Sequence, residues 1–165
     1  MLARSFGGDQ PRRSPRRRQW PRRFQPSWVT PAIEEGHTWL VHLDGELAAT
    51  ITLEWADPMW GPDDGSAGYV HRLAVRRGAS GLGLHLLRWA ASEVCQRERS
   101  LLRLDCVTSN PMLRSYYESP GFQHGGDVEV GGAPGQRDTA APLTLISRYQ
   151  VDARTLATAT TDLVP

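Results

Sequence analysis

The stretch Tyr69-Val70-His71-Arg72-Leu73-Ala74-Val75-Arg76-Arg77-Gly78-Ala79-Ser80-Gly81-Leu82-Gly83-Leu84 decides the fold. Residues Tyr69 to Val75 are apolar and β-branched enough to read as a strand, and a glycine-rich turn follows. From about Gly81 to Glu98 a helix is predicted, because Leu86, Leu87, Ala90, Ala91, Val94 and Cys95 recur on one stripe. Arg88, Ser92, Gln96 and Arg97 face outward, and Glu93 with Arg97 forms a favourable i, i+4 pair. Leu101 to Val107 is a second strand, so strand, helix and strand predict a parallel pair joined by a right-handed crossover.

The turn between the first strand and the helix leaves backbone N–H groups unpaired at the positive end of the helix dipole, which suits an anion. A glycine there lets a phosphate approach the backbone, although the same residues also make an ordinary tight turn. A dinucleotide fold places its third glycine where this chain has Leu86, and Asp105 alone, at a ribose-binding distance, does not restore that fingerprint. A phosphate loop of the Walker type needs a lysine, and all nineteen basic residues here are arginine.

Working outward, Thr30 to Gly36 spells a short helix with Thr30 as N-cap and Pro31 at its first position. His37 to Leu43 and Glu46 to Glu54 form a hairpin around Asp44-Gly45, a pair suited to a type I′ turn. Residues 55–68 read as a loop punctuated by proline and glycine. Asn110-Pro111 opens a second helix running to about Ser119, expected to bury Met112, Leu113, Tyr116 and Tyr117 and to stop at Pro120-Gly121. Phe122 to Val130 and Leu143 to Tyr149 close the pattern as a strand pair.

With 165 residues the chain fits one domain. Cys95 and Cys106 lack both a disulfide framework and metal-site spacing, and His37, His42, His85 and His124 lack ligand spacing, so no metal is assigned and a reducing cytoplasm is the plain reading. No run approaches the roughly 18 apolar residues of a membrane span, and the basic N-terminus has no apolar core like that of a signal peptide. Residues 1 to 23 hold eight arginines against Asp9, while the remainder holds eleven arginines against seventeen acids. Residues 1–18 are therefore expected to be a disordered arginine-rich arm, residues 19–150 the folded domain and residues 151–165 a frayed tail. An arm binding nucleic acid is the alternative for the first segment, but nothing near it supplies a base-reading helix or a stacking platform.

Leu73-Ala74-Val75, the turn Gly78 to Gly83, and Asn110 with Tyr117 and Gly121-Phe122 at their spacing resemble the GNAT acyltransferase core. The resemblance covers residues 69 to 122 well and extends plausibly over the hairpin. It implies an α/β (α+β) domain: a mixed, mainly antiparallel central sheet around a parallel βαβ unit that binds acetyl-CoA. Leu73, Ala74 and Val75 would then hold the pantetheine arm. Gly78, Ser80, Gly81, Leu82, Gly83 and Leu84 would hold the pyrophosphate, Asn110 a CoA amide or carbonyl, and Tyr117 the leaving sulfur. The family turn usually starts with Gln or Arg where this chain has Gly78, so Arg76 or Arg77 is expected to supply the positive charge. The family's front strand and helix are not legible here, and the N-terminus reads as altered or missing them.

The chemistry so implied is acetyl transfer to a small-molecule acceptor, and an amine is favoured. The thiolate leaves with a pKa of about 8.5, and a tyrosine of intrinsic pKa about 10 can protonate it. An attacking ammonium must first lose a proton. His71, sharing a strand face with Leu73 and Val75 by the two-residue period, is the first candidate base and Glu54 the second. Cys106 is set aside as a nucleophile, because the family transfers directly and a free cysteine is usually buried. Glu54, Asp57, Asp63 and Asp64 around Trp55 and Trp60 favour a cationic acceptor. A catalytically weakened CoA-binding module on the same fold and a nucleic-acid-associated protein are the competing classes, and a homodimer is open.

Overall fold

The computed structural model describes residues 26–131 and 143–159. After a 3-10 turn at Pro26–Trp28 the elements are α1 (Thr30–Glu34), β1 (Thr38–Leu43), β2 (Glu46–Glu54), β3 (Ala67–Val75), α2 (Leu82–Gln96), β4 (Leu101–Val107), α3 (Pro111–Glu118), β5 (Gln123–Gly131), β6 (Leu143–Asp152) and α4 (Ala153–Thr158). They build a mixed sheet in the order β1-β2-β3-β4-β6-β5, antiparallel throughout except for the β3–β4 pair. The expected arm at residues 1–18, and any element in front of residue 26, lie outside the described residues.

The hairpin turns as its sequence requires: Asp44 (φ 53°) and Gly45 (φ 79°) both take the left-handed conformation that a type I′ turn needs. At α1 the reading is corrected. Val29 precedes the helix without a side-chain cap, and the hydroxyl of Thr30, already inside it, donates to the carbonyl of Pro26. The strand expected from Tyr69 begins two residues earlier, at Ala67, because the backbone ladder to β4 starts there. Gly68 admits this early start: a Cβ on it would lie 2.6 Å from Val94 of α2 and 3.1 Å from Trp55.

The core lies between the sheet and α2, whose Leu86, Leu87, Ala90, Ala91 and Val94 are buried as the stripe requires. Trp39 of β1 meets Trp89 of α2 edge to face at 4.8 Å between ring centroids. In α3 only the Leu113/Tyr117 ridge turns inward. Met112 is 79% exposed and Tyr116 41%, because an eight-residue helix lying on a sheet can bury one ridge and not both.

The chain end differs most from its reading. Residues 151 and 152 finish β6, Asp152 caps α4 by accepting from the Thr155 N–H at 2.7 Å, and α4 packs on α2 with Ala153 and Leu156 fully buried. A six-residue element with one leucine carries too little periodicity to be read as a helix. The docked helix makes a measurable claim: Leu156→Ala should destabilise the full chain by about 2–5 kcal/mol in chemical denaturation, where a frayed tail would leave the midpoint unchanged.

Candidate active site

β3 and β4 pair over four residues, Ala67 to Val70 against Leu101 to Leu104, and then separate, although β3 continues to Val75 and β4 to Val107. The edges of residues 71–75 and 105–107 that face one another have no strand partner between them among the described residues. An extended, amide-bearing chain fits such a slot, because unpaired backbone groups on a strand edge are ready to pair with it.

A bulge in β3 shapes one wall. His71 pairs with Thr52 and Ala74 with Thr50, so Arg72 and Leu73 of β3 together oppose Ile51 of β2, and Arg72 takes a positive φ of 51°. The extra residue breaks the two-residue alternation. His71 therefore shares its face with Ala74 and not with Leu73 or Val75, a correction to the strand-face reading. Leu73 instead packs against the core and Val75 is partly exposed.

At the end of β3 the turn reaches α2 through Gly78 (φ 95°) and Gly81 (φ 83°), the latter being the left-handed N-cap of α2. No side chain caps this helix. Of its first-turn N–H groups, that of Leu82 donates to the Ala79 carbonyl at 3.3 Å, and those of Gly83 and Leu84 are among those an α-helix cannot satisfy internally. The space where a Cβ at Gly78 or Gly81 would project is open, whereas a Cβ at Gly83 would strike the Tyr116 hydroxyl. Of the two arginines expected to add charge, Arg76 is already paired with Glu46 of β2. Arg77 makes no ion pair with the described residues. Ser80 lies in this turn between the two left-handed glycines.

On the far wall Asn110 caps α3, accepting from the Leu113 N–H at 3.2 Å, which is its ordinary structural use. Tyr117 is 7% exposed and packs against Phe122, Tyr149 and Tyr116 at centroid distances of 6.0, 6.2 and 5.6 Å. Its hydroxyl has no hydrogen bond among the described residues. Burial, with Cys106 and Asp105 nearby, pushes its pKa well above the usual tyrosine range, so it stays a proton donor at every physiological pH. Burial also pushes the Cys106 thiol up to about 11, which keeps it neutral and removes it as a nucleophile near pH 7. α3 itself is tied to β6, since Arg114 Nε donates to the Tyr149 hydroxyl at 2.9 Å and that hydroxyl donates to Glu118 at 2.9 Å.

On the sheet face opposite α2, His71 is surrounded by carboxylates. Its Nε2 lies 3.4 Å from Glu54 Oε2 and 3.7 Å from Asp57 Oδ2, and its Nδ1 lies 3.9 Å from Asp105 Oδ2. Both candidate bases are thus brought together, and Asp57 and Asp105 join them. Burial raises the pKa of Asp105, with His71 opposing and Asp57 adding to the rise. Reading from the sequence missed Asp105 as part of this group, although the alternation of β4 held the signal: Leu102, Leu104 and Cys106 point to the core, so Asp105 points to the other face.

The rest of the acidic loop has other partners. Asp63 pairs with Arg99 at 3.2 Å, Asp64 accepts from Ser66, and Arg97 lies 4.1 Å from the centre of the Trp55 ring. Trp60 lies near two arginines, Arg103 at 4.8 Å and Arg148 at 5.1 Å. The acidic surface expected to favour a cationic acceptor therefore narrows to the carboxylates around His71.

Residues 7–122 match the model of the Acetyltransferase (GNAT) family, a match that begins inside the stretch set apart as an arm by its composition. The chain is similar to the uncharacterized N-acetyltransferase YesJ of Bacillus subtilis strain 168, with 39% identity over 104 residues, covering 58% of this chain and 57% of that one. It thus spans under two-thirds of that relative's length. Among solved structures, a GNAT family acetyltransferase from Listeria monocytogenes is 25% identical with a TM-score of 0.54, covering 75% of this chain and 69% of the other. Another from Elizabethkingia anophelis, solved with acetyl-CoA bound, shares the fold at 13% identity and a TM-score of 0.57, covering 78% and 83%. No described helix is long and apolar enough to cross a membrane.

Proposed function

This chain belongs to the GNAT acetyltransferase family, and from that premise we propose that it moves the acetyl group of acetyl-CoA directly to the amine of a small-molecule acceptor. The observation that carries the proposal is the parting of β3 and β4 after Val70, directly beside a left-handed, side-chain-free helix start at Gly81. The slot offers backbone amides and carbonyls of Leu73, Ala74 and Val75 to an amide-bearing arm. The turn offers N–H groups to a pyrophosphate, and Arg77, in the same turn, adds a positive charge. Acetyl-CoA carries both features and supplies the thioester.

In this reading each residue has one task. His71 removes a proton from the acceptor ammonium, with Glu54 as the second candidate, and the neutral nitrogen forms the new bond to the acetyl carbon as the carbon–sulfur bond breaks. Tyr117 donates a hydrogen bond to the departing sulfur, and Asn110 combines its capping bond with contact to a CoA carbonyl or amide. The carboxylates of Glu54, Asp57 and Asp105 favour an acceptor that arrives as a cation.

Two measurements test this. Thiol release from acetyl-CoA, followed across a panel of cationic, neutral and anionic amines, should be fastest with the cationic ones; release with none of them would leave a CoA-binding module. In calorimetry, Gly81→Val should weaken CoA binding about 10-fold or more, since valine resists the left-handed conformation and a lost hydrogen bond to a charged group is worth about 1.5–3 kcal/mol. Gly81→Asn, which tolerates that conformation, should keep most of the affinity. No CoA binding by the folded wild type would overturn the assignment.

A further inference from the structure

The group around His71 has a geometry that proton transfer alone does not call for. Its separations, 3.4 and 3.7 Å at Nε2 and 3.9 Å at Nδ1, are longer than the roughly 2.7–3.2 Å of a hydrogen bond. They approach the spacing of ligands around one tetrahedral ion: metal–ligand bonds of about 2.0–2.1 Å set neighbouring ligand atoms about 3.3 Å apart. The donor atoms of Asp57, His71 and Asp105 all fall within 4.8 Å of one another.

A second observation points the same way. The side chain of Asp57 is 10% exposed, and its two oxygens fare differently. Oδ1 accepts from the Met59 N–H at 2.8 Å, while Oδ2, aimed toward His71, is buried with no hydrogen-bond partner. A buried carboxylate oxygen without a donor is costly, and a cation between Asp57 and His71 would satisfy it. Asp105 Oδ2 lies 3.9 Å from the other ring nitrogen, too far for a hydrogen bond to orient the ring and within the same 4.8 Å as the donor atoms of Asp57 and His71.

We infer that Asp57, His71 and Asp105 form a site for one divalent transition-metal ion, for which the imidazole nitrogen and carboxylate oxygens suit Zn2+, with Glu54 beside the imidazole. A filled site occupies a ring-nitrogen lone pair of His71. On the reading of His71 as the base, the ion then acts as an inhibitor that competes with the acceptor ammonium and leaves CoA binding intact.

The test uses the full, untagged chain and Zn2+ alone, by equilibrium dialysis, with Co2+ as a spectroscopic probe of the ligand geometry. One equivalent should bind. Asp57→Asn should abolish or severely weaken binding, and it keeps the Oδ1 cap on Met59, so the loop should stay folded. Asp105→Asn should weaken binding by about 10-fold or more, as loss of a carboxylate ligand does. His124→Ala, at the separate surface pair with Asp127, should bind as the wild type does. Absence of bound Zn2+, undiminished binding in Asp57→Asn, or loss in His124→Ala would each overturn the site. Because binding is read without acetyl-CoA, failure of the transferase reading is seen separately, as no thiol release from the metal-free protein.

Discussion

Tyr117→Phe is expected to lower kcat and kcat/KM together by about 10²- to 10³-fold, with CoA affinity and melting temperature nearly unchanged. The size follows from what the hydroxyl can do. Because burial holds its pKa far above that of a thiol, complete transfer of its proton to the departing sulfur is uphill. What it can give cheaply is a hydrogen bond to charge that develops only in the transition state, and removing one such donor typically costs about 2.7–4 kcal/mol. The structure also says why stability should hold. The hydroxyl makes no hydrogen bond to the described residues, and phenylalanine keeps the ring against Phe122 and Tyr149. Steady-state kinetics and thermal melting separate the two roles: a transition-state contact lowers both kinetic constants, whereas a packing role lowers the melting temperature with kcat intact. Unchanged kcat would retire Tyr117 from the mechanism.

The parts of this site that could be read in the sequence are those built from local patterns. The Asp44-Gly45 hairpin, the stripe of α2 and the parallel β3–β4 unit each follow from one period or one turn chemistry, and all three stand. Gly81 was legible because a helix start without a capping side chain leaves a chemical mark. The bulge at Arg72 was not, since nothing marks an arginine for a positive φ; the extra residue is dictated by the pairing of β3 with β2. For the same reason the face shared by His71 and Ala74 could not be read from alternation. Asp57 and Asp105 stand 48 residues apart in sequence, and their meeting at His71 depends on β4 lying beside β3 while the Pro58–Trp60 turn folds back over the sheet. α4 was missed because its stability comes from burial against α2 and hardly at all from its own six residues.

His71→Ala is the second large effect, and its pH dependence tells a base from a structural histidine. At pH 7 an acceptor amine of pKa about 10 is neutral in about one molecule per thousand, and at pH 9 in about one per ten. An enzyme that strips the proton from the bound ammonium is spared that factor; a variant that cannot must wait for amine already neutral. The variant should therefore be slowed by about 10²- to 10⁴-fold near pH 7. Its rate should then rise up to about 100-fold between pH 7 and pH 9, closing much of the gap, because the missing step is supplied by solution. Tyr117→Phe should show no such recovery, as the hydroxyl acts on sulfur and its loss is not remedied by neutral amine. The neighbours make the test sharper. Glu54 Oε2 lies 3.4 Å from Nε2 and could serve in place of the imidazole. If Glu54 is the base, His71→Ala keeps most of its activity at pH 7, and Glu54→Gln shows the loss and the alkaline recovery instead. A loss in His71→Ala that stays constant from pH 7 to pH 9 means that the imidazole holds Glu54, Asp57 and Asp105 in place against one another and takes no proton itself.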